Sequence, residues 1–124
     1  MNNTKIAEAL FKAFAENNLD AARSLCHTDM TAIQNSNPAM NLDTLLSFSD
    51  AVSKVVQNFR YEHVIRSETD TGFVEEHSVR GTLPDGSELH LTACVVADII
   101  DGKIKVLREY VDTSSAAGLL QALS

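Results

Sequence analysis

His77 and Glu109 are the ionisable residues that interrupt an otherwise apolar alternation in the later strands of this 124-residue chain. Facing one cavity, an imidazole and a carboxylate can exchange a proton, and either can serve as general base. A buried ionisable group has to be paired, hydrogen-bonded or neutralised. The plain alternatives are therefore a structural His–Glu hydrogen bond, or a Glu109 that only reaches solvent at a cavity mouth. Other residues carry weaker signals. His27, His63 and His90, even with Cys26 or Asp98, lack the spacing of a zinc site, and no metal is expected. His27 reads instead as the end of a helix, near its C-terminal dipole. Tyr61 and Tyr110 offer hydroxyls, although strand tyrosines usually pack at sheet surfaces. Cys94 falls on a polar face with no cation beside it, which argues against a nucleophilic thiol. Asp112 reads as a cap for the tail after the last strand, and Met30, Met40 and Phe48 as plain packing rather than a cavity entrance.

The elements that must position these residues follow from periodicity. Ile6, Ala9, Leu10, Ala13 and Phe14 share one face of a helix over Ile6–Asn17. Asn3 or Thr4 can cap its start, and Asn17-Asn18 can end it. A short second helix runs from Asp20 to Cys26, and Met30–Asn35 reads as a short strand closed by Ser36-Asn37-Pro38. Asp43–Phe59 returns to helical spacing. From Arg60 the period becomes two, giving strands Arg60–Glu68, Phe73–Leu83, Ser87–Ile100 and Lys103–Asp112. Helices first and a meander afterwards imply an α+β domain, with N-terminal helices packed on a curved antiparallel sheet around a cone-shaped pocket.

Register follows from the turns. Leu83-Pro84-Asp85-Gly86 fits a type I turn, with Gly86 at a left-handed bulge position. Val79 then faces Leu91, and His77 faces Ala93. A similar loop at Asp101-Gly102 would set Ala93 opposite Glu109 and Val95 opposite Leu107. One face then carries Val79, Leu91, Ala93, Val95, Ala97, Leu107 and Val111, and only His77 and Glu109 break it. The opposite face, with Glu76, Arg80, Thr92 and Arg108, is mostly polar.

Composition narrows the function. A net charge of −7 without a basic cluster disfavours a phosphate backbone as partner, so nucleic acid is not expected. No apolar run approaches the roughly 20 residues of a membrane span, and the start of the chain lacks the layout of a signal peptide. Two cysteines outside any CxxC pair suit a reducing cytoplasm. One domain over residues 1–124 is the expectation.

The order of elements, together with the hairpin Glu75-Glu76-His77-Ser78-Val79-Arg80-Gly81-Thr82-Leu83-Pro84-Asp85-Gly86, the turn Asp101-Gly102-Lys103-Ile104 and the strand Arg108-Glu109-Tyr110-Val111-Asp112, resembles the SnoaL-like branch of the nuclear transport factor 2-like superfamily. The resemblance covers nearly the whole chain and implies a conical small-molecule pocket reused for many activities. Ketosteroid isomerases, polyketide cyclases and limonene epoxide hydrolases share it, often as dimers formed through the sheet. It implies pocket positions at Gln34, His77, Val79 and Glu109; Ala93 and Leu107, on the apolar face that the register sets toward the helices, are further expected substrate-facing positions. Departures are plain: the epoxide hydrolases' arginine–aspartate pair falls at His77 and Val79, and the steroid isomerases' acids fall at Gln34 and near Ala93. The cyclase-like reading, which needs one positioned acid/base group, is weakened least.

The expectation is a cofactor-free isomerase, cyclase or hydrolase acting on a hydrophobic, oxygenated small molecule. His77 and Glu109 would be its acid/base pair, and Gln34 would orient a carbonyl or water. The alternative is a small-molecule-binding or accessory protein without chemistry. A homodimer is expected in either case, with the polar outer sheet face as a wet contact.

Overall fold

The computed structural model describes residues 2–124. Helix α1 (Asn3–Ala15) and helix α2 (Leu19–Ser24) form a hairpin, followed by strands β1 (Cys26–Gln34) and β2 (Met40–Asn41). Helix α3 (Leu42–Val55) leads into strands β3 (Gln57–Glu68), β4 (Gly72–Thr82), β5 (Glu88–Ile100) and β6 (Lys103–Val111), and α4 (Ala117–Leu123) closes the chain. The sheet order is β2-β1-β6-β5-β4-β3. The α+β architecture matches the expectation, but the sheet is mixed rather than purely antiparallel, because β1 runs parallel to β6. Parallel neighbours need a long crossover, and here everything from β2 to β5 supplies it.

Local chemistry sets the ends of these elements. The Asn2 side chain accepts from the Lys5 backbone N–H and so caps α1. Asn17 takes a left-handed φ of 52° at the other end, where Asn18 N–H reaches Ala13 O and Asn17 N–H reaches Phe14 O. That is a Schellman ending. Helix α2 stops at Ser24, so His27 belongs to β1, where its Nε2 lies 2.6 Å from Ile100 O, and not to a helix end. Helix α3 also stops early: Val56 is already extended, and Phe59 lies in β3. Pairing of Gln57 with Thr82 takes over where two β-branched valines weaken the helix.

Sheet curvature arises from bulges. Asn58 and His63 adopt left-handed φ values of 54° and 55°, at the two places where the β3–β4 register shifts. The β4–β5 hairpin has the expected pairing, with Val79 opposite Leu91 and His77 opposite Ala93, and Gly86 sits at φ 87° in its turn. The β5–β6 hairpin differs. Asp101 and Gly102 are both left-handed, giving a two-residue loop that pairs Ile100 with Lys103. A further irregularity between Asp98 and Ile99 restores the parity of the faces. The net effect is a slide of two residues: Ala93 faces Val111, Val95 faces Glu109, and Ala97 faces Leu107.

Two apolar clusters lie between sheet and helices. Ile6, Leu10, Phe73 and Ile104 anchor one beneath α1 and α2. Val52, Val79, Leu89 and Leu119 anchor the other beside α3 and α4. Tyr61 packs against both. No helix among the described residues is long and apolar enough to cross a membrane.

Candidate functional site

Between the two clusters is a cavity of about 200 Å³. Phe11 and Phe14 of α1, Phe48 of α3, and Phe59 and Tyr61 of β3 supply its aromatic wall. Val79, Val95 and Leu107 form part of its floor, and Leu119 and Leu120 of α4 border it on a further side. Asp112 caps the segment leading to α4, accepting hydrogen bonds from Ser114 and Ser115. Met40 and Phe48, read from sequence as plain packing, line the cavity, whereas Met30 is buried core.

One rung of the sheet organises the polar chemistry. Gln34, Glu109, Val95, Glu75 and Arg66 are successive cross-strand partners on β1, β6, β5, β4 and β3. At one end, Gln34 Nε2 donates to Glu109 Oε1 at 2.7 Å, and both residues line the cavity. No protein group among those described bonds the second oxygen of Glu109. At the other end, Arg66 Nε donates to Glu75 Oε1 at 2.6 Å, and His77 Nδ1 lies 2.6 Å from Glu75 Oε2. Glu75 is fully buried and His77 is 2% exposed.

The sequence-derived positions are therefore only partly brought together. Gln34, Val79, Leu107 and Glu109 line the cavity, and Ala93 and His77 do not. His77 is covered by Phe11 and Tyr61, with ring centroids 4.9 and 4.6 Å away, and its Nε2 has no partner among the described groups. The expected convergence of His77 and Glu109 across Ala93 does not occur, because the two-residue slide sets Glu109 on the rung of Glu75. Glu75 was missed, although it lies two residues before His77 and so on the same face of β4.

Tyr61 is the second group whose importance the sequence understated. Burial pushes its phenol well above the usual range, and the nearby Glu109 and Glu75 carboxylates push it further. It stays neutral and can donate a hydrogen bond. The Cys26 thiol, pushed up to about 11 by burial, stays protonated and inert. Among the described residues, no group of three or more His, Cys, Asp or Glu side chains comes close enough to hold a metal ion.

Comparisons with known proteins agree with this architecture. A candidate polyketide cyclase from Xanthomonas campestris pv. campestris superposes with a TM-score of 0.82 at 19% identity, covering 98% of this chain and 96% of that one. PrhC from Penicillium brasilianum gives a TM-score of 0.84 at 11% identity, covering 97% and 86%. A protein with a ketosteroid isomerase-like fold from Catenulispora acidiphila, in complex with trimethylamine, gives 0.79 at 15% identity, covering 94% and 91%. At these identities the likeness is one of fold. No curated protein matches the sequence. The model of the SnoaL-like domain matches residues 7–107. The chain belongs to the SnoaL-like family.

Proposed function

We propose that the cavity receives a compact, largely apolar molecule and that Glu109 is the acid/base residue acting on it, without a cofactor, in an isomerisation, cyclisation or hydrolysis. The observation that carries this reading is the Gln34–Glu109 hydrogen bond, which fixes one carboxylate oxygen and leaves the other without a bonded partner among the described groups, in a mostly apolar chamber that also carries Asn37, Ser49, Ser53 and Thr113. In such surroundings a carboxylate can take a proton from the ligand or from a water and return it. Tyr61 supplies the complementary group, a neutral hydroxyl able to polarise an oxygen of the ligand. His77 acts in this reading as a positioning residue behind the wall, bracing Tyr61 and Phe11 rather than touching the ligand.

The cavity is smaller than the roughly 300–1,000 Å³ of sites for drug-sized ligands, which favours compact substrates over fused-ring ones. The cyclase-like neighbour from Xanthomonas and the trimethylamine complex of the Catenulispora protein support a small-molecule role. A cytoplasmic homodimer in contact through the outer sheet face, around Thr92, Cys94 and Tyr110, completes the proposal. Both cysteines are free, as a reducing compartment requires.

The test is turnover of a panel of compact ketones, epoxides and esters by the native protein and by Glu109→Gln. The reading expects at least one substrate, with turnover lowered about 100-fold or more in the variant. Binding without turnover would transfer the weight to a non-catalytic binding protein. Equal turnover by the variant would remove Glu109 from the chemistry.

A further inference from the structure

We infer that the compact ligand of this cavity carries a substituted ammonium group, its charge beside the Glu109 carboxyl and its alkyl groups against the aromatic wall. This rests on the reading of the cavity as a ligand site and adds the class of ligand.

Glu109 is the one carboxylate in the lining, and no lysine, arginine or histidine among the described residues lines the cavity with it. The arginines elsewhere on the sheet already have acidic neighbours, Arg60 among them with Glu62. Arg66 is paired with Glu75, Arg108 with Asp98 at 2.9 Å, and Arg80 lies 3.6 Å from Glu88. Gln34 contributes a dipole but no charge. The half-buried Glu109 side chain has no cationic partner in the lining, and a ligand that brings a positive charge supplies one. An anionic ligand would be repelled.

Phe14, Phe11, Tyr61 and Phe59 form a continuous aromatic series, with successive ring centroids 6.2, 5.3 and 5.3 Å apart. All four rings line the cavity. A ring that turns its face to the cavity attracts an ammonium group, most strongly when the site is dry, in the same sense as the carboxyl. Neutral apolar ligands would gain only from burial.

About 200 Å³ accommodates a trialkylammonium head with a short substituent, and little more.

The experiment uses choline and its neutral isostere dimethylbutanol, in which a quaternary carbon replaces the nitrogen. Calorimetric titration of the full chain should show choline binding about tenfold or more tighter than the alcohol. Glu109→Gln, which keeps an acceptor for Gln34, should remove that preference. A circular-dichroism spectrum and an unfolding midpoint matching the native protein show that the variant is folded. If the native protein binds both equally, or the alcohol alone, the cation assignment is overturned and the cavity reading stands. If Glu109→Gln keeps the full preference, the cation assignment to Glu109 is overturned. If neither compound binds, both the assignment and the cavity reading fall.

Discussion

Glu75 and Glu109 sit on the same rung of the sheet with Val95 between them, yet their surroundings are opposite. Glu75 is sealed under α1, and both of its oxygens are engaged, one by Arg66 and one by His77. Glu109 opens onto the cavity, where Gln34 holds one oxygen and no group among the described residues bonds the other. The difference teaches that a carboxylate's position on the inner sheet face does not decide its role. The partners do. Where the sequence supplies a cation and an imidazole, the acid is saturated and becomes part of the scaffold. Where it supplies a single amide, the acid keeps capacity for something that enters from outside.

Substitutions can break this comparison in order of size. Glu75→Ala should cost most, about 3–5 kcal/mol in urea unfolding, because it strands a mostly buried guanidinium and a buried imidazole. Replacing Arg66, Glu75 and His77 together by apolar residues of similar volume should recover much of that loss. His77→Gln comes next, at about 1–3 kcal/mol, the usual penalty for leaving a buried polar partner unsatisfied. It should change ligand affinity far less than Glu109→Gln does, since His77 does not line the cavity. Gln34→Ala should cost only about 1 kcal/mol of stability, but it should disorder the Glu109 carboxylate and weaken ligand binding or turnover.

The smallest effect concerns the outer face. Arg108 holds the Asp98 carboxyl below the usual carboxylate range through their hydrogen bond. With a lowered folded pKa, the pair's stabilisation is present above the ordinary carboxylate value and disappears as pH falls through the lowered one. The pair is about a third exposed, so solvent screening limits the effect to less than about 1 kcal/mol. Asp98→Asn should flatten the acid limb of a stability-against-pH profile by that amount and leave ligand binding unchanged.

Much of the fold is legible in the residues because its signals are local. The Pro84-Asp85-Gly86 loop fixes the β4–β5 register, and the period of two from Arg60 onward marks the meander. The site is less legible because it depends on a two-residue turn at Asp101-Gly102 combined with a bulge at Asp98/Ile99. Nothing in the local sequence announces that bulge, and turn and bulge together move Glu109 from the rung of His77 to the rung of Glu75. The parallel pairing of β1 with β6, which brings Gln34 to Glu109, is a long-range contact without a turn signature. Gln34 was reachable only through the family resemblance. Glu75 carried a readable signal, an acid in step with His77 on an inward face.

The most direct test sets the two acids against each other in one measurement: urea unfolding of Glu75→Gln and Glu109→Gln beside the native protein. Each substitution removes one charge and keeps the side-chain shape. The account expects Glu75→Gln to lose several kcal/mol, about 3 or more, and Glu109→Gln to stay within about 1 kcal/mol of the native value. Equal losses, or a larger loss at Glu109, would contradict the division between a structural and a functional carboxylate.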